Sequence, residues 1–281
     1  MLITLLTDFG VQDTYVGVMK GVIAHVNPTI RVIDITHAIP PQDVAAARFN
    51  LMTAYPHFPA GTVHLAVVDP GVGGKRRAIA IQCRSNPSGD STSGRTYIVA
   101  PDNGLVSGVI DRFEQKFGQE ELTVVELNQS KYWYASTPST TFHGRDIFAP
   151  VAAHLASGVA IQDLGSTIPA DSLVRLSLPP LQATANGVQG VIQYIDHFGN
   201  LVTNIPGQAV KSTHWSVSCQ SAISCQSTLI QSAETYGTHN QPGERMAIIG
   251  SHGWVEIAVN CGHAARELHM TIGDEVQVLW D

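Results

Sequence analysis

The sequence predicts an α/β protein: an N-terminal, mostly parallel sheet with flanking helices, followed by a small C-terminal domain that is a β-barrel or a sandwich. Three observations carry that reading. Short apolar runs alternate with helical patterns through the first half of the chain. Around 177–187, "SLPPLQATANG" brings paired prolines and the periodicity stops. Beyond it lie short β runs with no long helix between them.

The elements follow in order. "LITLLT" reads as a buried strand that reaches Asp8. "DTYVGVMKGVIAHVNP" sets Val16, Met19, Ile23 and Val26 on one helical face and stops at Asn27-Pro28. "RVIDIT" is a second strand, "QDVAAARFNLMTAY" a second helix and "TVHLAVV" a third strand. Strand–helix–strand–helix–strand implies parallel pairing with helices on the sheet faces. "RRAIAIQC", "TYIVAP" and "ELTVVEL" continue the β pattern, with a polar hairpin tip expected at 86–94. "DIFAPVAAHLAS" reads as a helix opening at Asp146, with Asp146 as its N-cap. The expected domains are 1–178 and 188–281, with a linker near 179–187. In the second, "GVIQYID", "LVTNI", "RMAIIG", "WVEIAVN" and "EVQVLW" are strands. The Ser-, Thr- and Gln-rich segment 207–244 reads as irregular loops with one or two strands.

Composition narrows the function. With 281 residues and 44% hydrophobic content, the chain can bury a sizeable core. A net charge of −7 argues against broad binding to nucleic acid or an anionic membrane, and permits a cationic small ligand. Four scattered cysteines (Cys83, Cys219, Cys225, Cys261) with no CxxC pair suit a reduced, cytoplasmic setting. "MLITLLTDFG" lacks the basic start of a signal peptide, and no apolar run approaches the ~20 residues of a membrane span.

"VVDPGVGGKRRAIAI" (67–81) invites a phosphate-loop reading. Phosphate loops work because a helix N-terminus follows the glycines and presents free N–H groups. Here a strand pattern follows, so that physical basis is missing. What remains is Asp69 at the end of a parallel strand, as Asp8 is at the end of the first. Ligands bind at that edge of open α/β sheets. Two carboxylates could therefore meet in one crevice, or each could simply cap a turn. "STTFHGRDIFAP" places His143 beside a glycine, where a substrate or backbone can come close. "YIDHFGNLVTNI" and "GSHGWVEIAVN" cluster an aromatic, amides and carboxylates in turns, which could serve as turn chemistry or hold an adenine-type ring and a zwitterion. Twelve histidines occur, but none at HxH, HxxxH or HExxH spacing, so no metal site is expected.

Taken together, "TDFG", "DPGVG" with "RR", "PDNG", "TFHGRD", "IDHFGN" and "GSHGWVEIAVN" resemble the S-adenosylmethionine (SAM) hydroxide adenosyltransferase family, adenosine-forming SAM hydrolases related to the fluorinase and chlorinase. The motifs occur in the family's order and span nearly the whole chain. The resemblance implies attack of water or hydroxide on the ribose C5′, releasing L-methionine and adenosine, with no cofactor. It implies a homotrimer that binds SAM between the N-terminal domain of one subunit and the C-terminal domain of the next. It places the catalytic set on Asp69, Arg76 and His143, with Arg77 a weaker choice than Arg76. Asp8 would hold the ribose hydroxyls, and Asp13 and Asp196 would lie near the methionine amine. Phe198, Asn200, Ser251 and His252 would supply adenine and methionine contacts; His252 stands where the halogenases carry an arginine. The halogenases place a tyrosine where Asp69 stands, and the fluorinase a serine where Gly144 stands. A carboxylate repels a halide and accepts a hydrogen bond from water, so Asp69 favours hydrolysis. On this reading Asp69 and His143 hold and partly deprotonate the water while Arg76 pairs with Asp69. Two other classes remain open: a non-catalytic SAM or adenosine sensor, and a metal-dependent hydrolase of another substrate.

Overall fold

The computed structural model describes residues 1–84, 94–118, 121–220, 227–238 and 241–280. Of the polar tip expected at 86–94, residues 86–93 lie outside them, as does Cys225. Contacts divide the chain into two units, Met1–Leu176 and Ser177–Asp281. Among the described residues, no helix is long and apolar enough to cross a membrane, and Cys83, Cys219 and Cys261 are free thiols.

The first unit holds a seven-stranded sheet: β1 (Leu2–Thr7), β2 (Arg31–Thr36), β3 (Val63–Val67), β4 (Ala78–Arg84), β5 (Arg95–Pro101), β6 (Leu122–Glu126) and β7 (Ser166–Ile168). Their spatial order is β2-β1-β3-β5-β4-β6-β7. The run β2-β1-β3-β5 is parallel; β4, β6 and β7 continue the sheet antiparallel. β1 is buried at every position from Ile3 to Thr7, so both of its faces are covered. Helices α1 (Tyr15–Val26) and α4 (Ala149–Ala156) pack on the face of Ile3, Leu5, Val63, Leu65 and Val67. α1 stops where Asn27 turns extended ahead of Pro28, as the proline ring requires. α2 (Val44–Ala54) begins with the Asp43 side chain accepting the Ala46 N–H at 2.8 Å.

The sequence reading does not contain α3 (Ser107–Phe117). Its opening Ser107-Gly108 looks like a helix breaker. The glycine is a contact point instead: a β-carbon on Gly108 would lie 2.7 Å from the Met52 sulfur of α2. Asp146 corrects the reading differently. It caps no helix; the chain is already helical at Gly144, in a π-helical turn (Gly144–Phe148) that runs into α4. Asp146 is buried inside that turn.

The second unit is an antiparallel, nearly closed barrel. Its strands are β8 (Gln182–Thr184), β9 (Gly187–Ile195), β10 (Leu201–Pro206), β11 (Trp215–Gln220), β12 (Ser227–Gln231), β13 (Arg245–Ile249), β14 (Trp254–Val259) and β15 (Glu275–Trp280). The order is β12-β11-β15-β9-β10-β14-β13. A bridge between Ser232 and Ala247 brings the two ends of that path together. Alternate residues fill the interior, among them Val188, Ile192, Leu201, Val217, Ile230, Val255, Ile257 and Val278. The helix α5 (Ala264–Glu267) is one turn long. The stretch expected as a linker, 179–187, contains β8, which pairs with β9.

Candidate active site

The sheet topology explains where the cavity lies. From β1 the chain crosses to β2 on one side, and from β2 it returns to β3 on the other. The carboxyl ends of the paired strands β1 and β3 therefore flank a switch point, where departing loops diverge and leave a crevice. Thr7 pairs with Val67, and one or two residues later come Asp8 and Asp69. Both carboxylates line a single cavity of about 400 Å³. Its other walls include Phe9, Tyr15, Gln42, Phe142, His143 and Gly144.

Asp69 and Arg76 face each other across the glycine turn that separates β3 from β4. Arg76 Nε donates to both Asp69 oxygens at 2.9 Å, and Nη2 adds a third bond to Oδ2. Both side chains are almost wholly buried, so an exact pairing is needed to offset the cost of removing two charges from water. Arg76 also lies 5.1 Å from the centre of the buried Phe148 ring. Its Nη2 reaches His143 Nδ1 at 2.7 Å.

That last contact assigns the histidine tautomer. A guanidinium can only donate, so Nδ1 must accept and the ring proton sits on Nε2. Burial first, and Arg76 second, push the His143 pKa below its usual 6.5. The ring is therefore neutral at pH 7. With Nδ1 engaged by Arg76 and the proton on Nε2, the His143 ring presents no free basic nitrogen.

Two glycines permit this approach. Gly73 has φ +74°, and a β-carbon there would lie 2.2 Å from the Thr140 carbonyl. The 70–75 turn can therefore rest directly on the segment that carries His143. At Gly144 a β-carbon would stand 3.1 Å from both the Met19 sulfur and the Phe142 ring. Beside them, Phe9, Tyr15 and Phe142 form a cluster of tilted and edge-to-face rings with centres 5.1–6.0 Å apart. No sequence motif marks Phe9 and Tyr15 as cavity walls; their position one and seven residues after Asp8 is the signal that points to them.

Asp8 lies in the same cavity, and its Oδ2 accepts the Gln42 N–H at 2.7 Å. Asp13 is exposed in the turn before α1 and does not line the cavity. Arg77 is committed elsewhere, to Asp102 and Ser172. Among the described residues, no group of three His, Cys, Asp or Glu side chains is placed to hold a metal ion.

In the second unit, Asp196, Phe198 and Asn200 occupy the β9–β10 turn. The Asp196 carboxylate accepts the N–H groups of Phe198 (2.9 Å) and Asn200 (2.8 Å) and the Asn200 amide (3.0 Å). It holds the turn that presents Phe198, a ring 72% exposed. Ser251 is exposed in the β13–β14 turn. His252 Nε2 lies 2.9 Å from Glu256, a buried carboxylate that also takes the Tyr236 hydroxyl. Burial, and then Glu256, push the Tyr236 pKa up, so its hydroxyl remains a donor. Glu256 was missed because it sits in "WVEIAVN" as an ordinary outward strand position.

Residues 3–165 match the SAM hydroxide adenosyltransferase N-terminal domain, and residues 190–277 match its C-terminal domain. An (R)-S-adenosyl-L-methionine hydrolase of Salinispora tropica is 38% identical over 98% of this chain and 97% of its own. The Thermus thermophilus protein of the same name is 36% identical over 98% of both. A fluorinase from an Actinoplanes species is 26% identical over 99% of this chain and 97% of its own. A crystal structure of an uncharacterized conserved protein from Thermotoga maritima superposes with a TM-score of 0.84, at 34% identity over the whole of both chains.

Proposed function

We propose that this chain, which belongs to the SAM hydroxide adenosyltransferase family, is an enzyme that hydrolyses S-adenosyl-L-methionine to adenosine and L-methionine. The observation that carries the reading is the Asp69–Arg76–His143 chain of hydrogen bonds, set in the cavity that Asp8 shares. Two carboxylates facing one crevice suit a cationic sulfonium. The sulfonium is already an activated leaving group: methionine departs as a neutral thioether, so no general acid is needed. The demanding part is the nucleophile, since water must lie in line with the C5′–S bond at about 3 Å.

Asp69 accepts a hydrogen bond from that water and takes its proton as the C5′–O bond forms and the C5′–S electron pair moves to sulfur. Arg76 fixes the Asp69 carboxylate and stabilises developing hydroxide character. His143, neutral and bonded through Nδ1, keeps the guanidinium in place. Asp8 uses one oxygen on Gln42 and offers the other to the ribose hydroxyls. Asp13 contributes near the methionine amine. No cofactor takes part.

The barrel unit serves recognition. Phe198, Asn200, Ser251, His252 and Asp196 contact the adenine and methionine of SAM bound to a neighbouring subunit, in a homotrimer acting in the cytoplasm. The exposed Phe198 ring supports this, because a large aromatic held out by a fully bonded turn is suited to cover a ligand. The names of the relatives specify the (R)-sulfonium epimer, and we extend that preference to this chain. The test supplies each resolved epimer and follows products by chromatography. Equimolar adenosine and methionine, formed faster from the (R)-epimer, are expected; formation of methylthioadenosine, or no turnover of either epimer, would remove the reading.

A further inference from the structure

Asp146 is 1% exposed and does not line the cavity, and nothing in the proposed chemistry uses it. A buried carboxylate needs a reason, since an uncompensated one costs several kcal/mol. We propose that Asp146 is a positioning residue for hydrolysis: it anchors the segment Ser139–His143, so that His143 meets Arg76 and Arg76 stays locked on Asp69. The inference rests on the catalytic reading given above.

Asp146 ties the segment down at two points, and holds Tyr134 upstream of it at a third. Its Oδ2 accepts the Ser139 N–H at 2.8 Å, its own N–H donates to the Phe142 carbonyl at 3.2 Å, and its carbonyl accepts the Tyr134 N–H at 2.9 Å. Arg145 completes the carboxylate's shell, with Nε on Oδ1 at 2.6 Å and Nη2 on Oδ2 at 3.0 Å. Burial alone would raise the Asp146 pKa, but the bonds from Arg145 and Ser139 outweigh it and hold the group charged. The anchored segment touches the reactive groups twice. Thr140 supplies the carbonyl on which Gly73 rests, and His143 supplies the nitrogen that receives Arg76. A shift of the segment would loosen both contacts together, and a displacement near 1 Å can cost about a hundredfold in rate.

The decisive variant is Asp146→Asn, which keeps the shape and one acceptor oxygen but loses the charge. We expect kcat to fall roughly ten- to a hundredfold while KM stays within about threefold, the pattern of a group that acts on the transition state and not on binding. In histidine-¹⁵N spectra, the wild-type His143 signals should show Nδ1 bare and Nε2 protonated; in the variant they should shift toward a tautomer average. Arg145→Gln leaves the buried carboxylate with the Ser139 bond alone and should lower kcat in the same direction, by about threefold or more. Asp146→Glu keeps the charge but moves it by one methylene, and is read in the same way if Asp146→Asn does not fold. Unchanged kcat and unchanged His143 signals, with only the melting temperature lowered, would overturn the proposal. Failure of the wild type to hydrolyse SAM would instead overturn the catalytic reading, and the histidine spectra would still report whether Asp146 sets the ring.

Discussion

In the first unit, Arg76 and His143 meet across 67 residues of chain, and Gly73 lets their two loops touch. In the second, the side-chain bonds of Asp196 among the described residues lie within its own five-residue turn, and His252 bonds to Glu256, which also takes the Tyr236 hydroxyl. The polar groups of the first unit thus converge on a cavity, whereas those of the β9–β10 turn in the second fix that turn and leave Phe198 outward. Long-range convergence of groups that hold one another is the mark of a preorganised reactive site. Local self-bonding with an exposed aromatic is the mark of a recognition surface. Chemistry and recognition are therefore expected to respond to mutation differently.

The largest effect should come from Asp69→Asn, which removes the group proposed to take the water's proton. Turnover is expected to fall by about 10²–10⁴-fold, while SAM affinity measured by calorimetry changes little. Loss of affinity with retained turnover would assign Asp69 to binding and collapse the contrast.

Acid should act on the first unit through His64, whose pKa burial lowers to about 4. Above pH 6.5 the folded and unfolded ring are both neutral, and His64 has no effect. As the pH falls from 6.5 toward 4, the unfolded chain takes up a proton that the folded one refuses. Stability should therefore decline across that window by on the order of 3 kcal/mol. Replacing His64 with Gln should flatten the decline in a series of denaturant titrations; an unaltered slope would show that other groups cause it.

Gly73→Ala tests the loop contact, because its β-carbon would enter the Thr140 carbonyl at a positive φ. A loss in kcat of roughly tenfold or more is expected, with KM nearly constant. In the second unit Phe198→Ala should show the reverse: KM raised about tenfold through lost aromatic contact, and kcat held. If both variants affected the same kinetic constant, the division of labour would be wrong.

Much of this was legible in the sequence for physical reasons. Strand ends are marked by apolar runs meeting a carboxylate, and this pattern alone places Asp8 and Asp69 at the ends of parallel strands. The glycine turn followed by "RRAIAI" showed that no helix terminus was present for a phosphate, and β4 begins at Ala78 as that argument requires. Other features lay beyond one-dimensional reading. Asp146 beside Gly144 has the composition of a helix cap, and only the π-helical turn reveals that it faces inward to Ser139. Gly108 resembles a breaker until Met52 is placed against it. The tautomer of His143 depends on Arg76, which no spacing rule connects to it.

The central claim, that water is the nucleophile and C5′ the carbon attacked, is met most directly by isotope transfer. SAM is incubated with the enzyme in ¹⁸O-enriched water, and the products are weighed by mass spectrometry. The account predicts one ¹⁸O atom in the 5′-hydroxyl of adenosine and none in the released methionine. Unlabelled adenosine, or methylthioadenosine in its place, would contradict it.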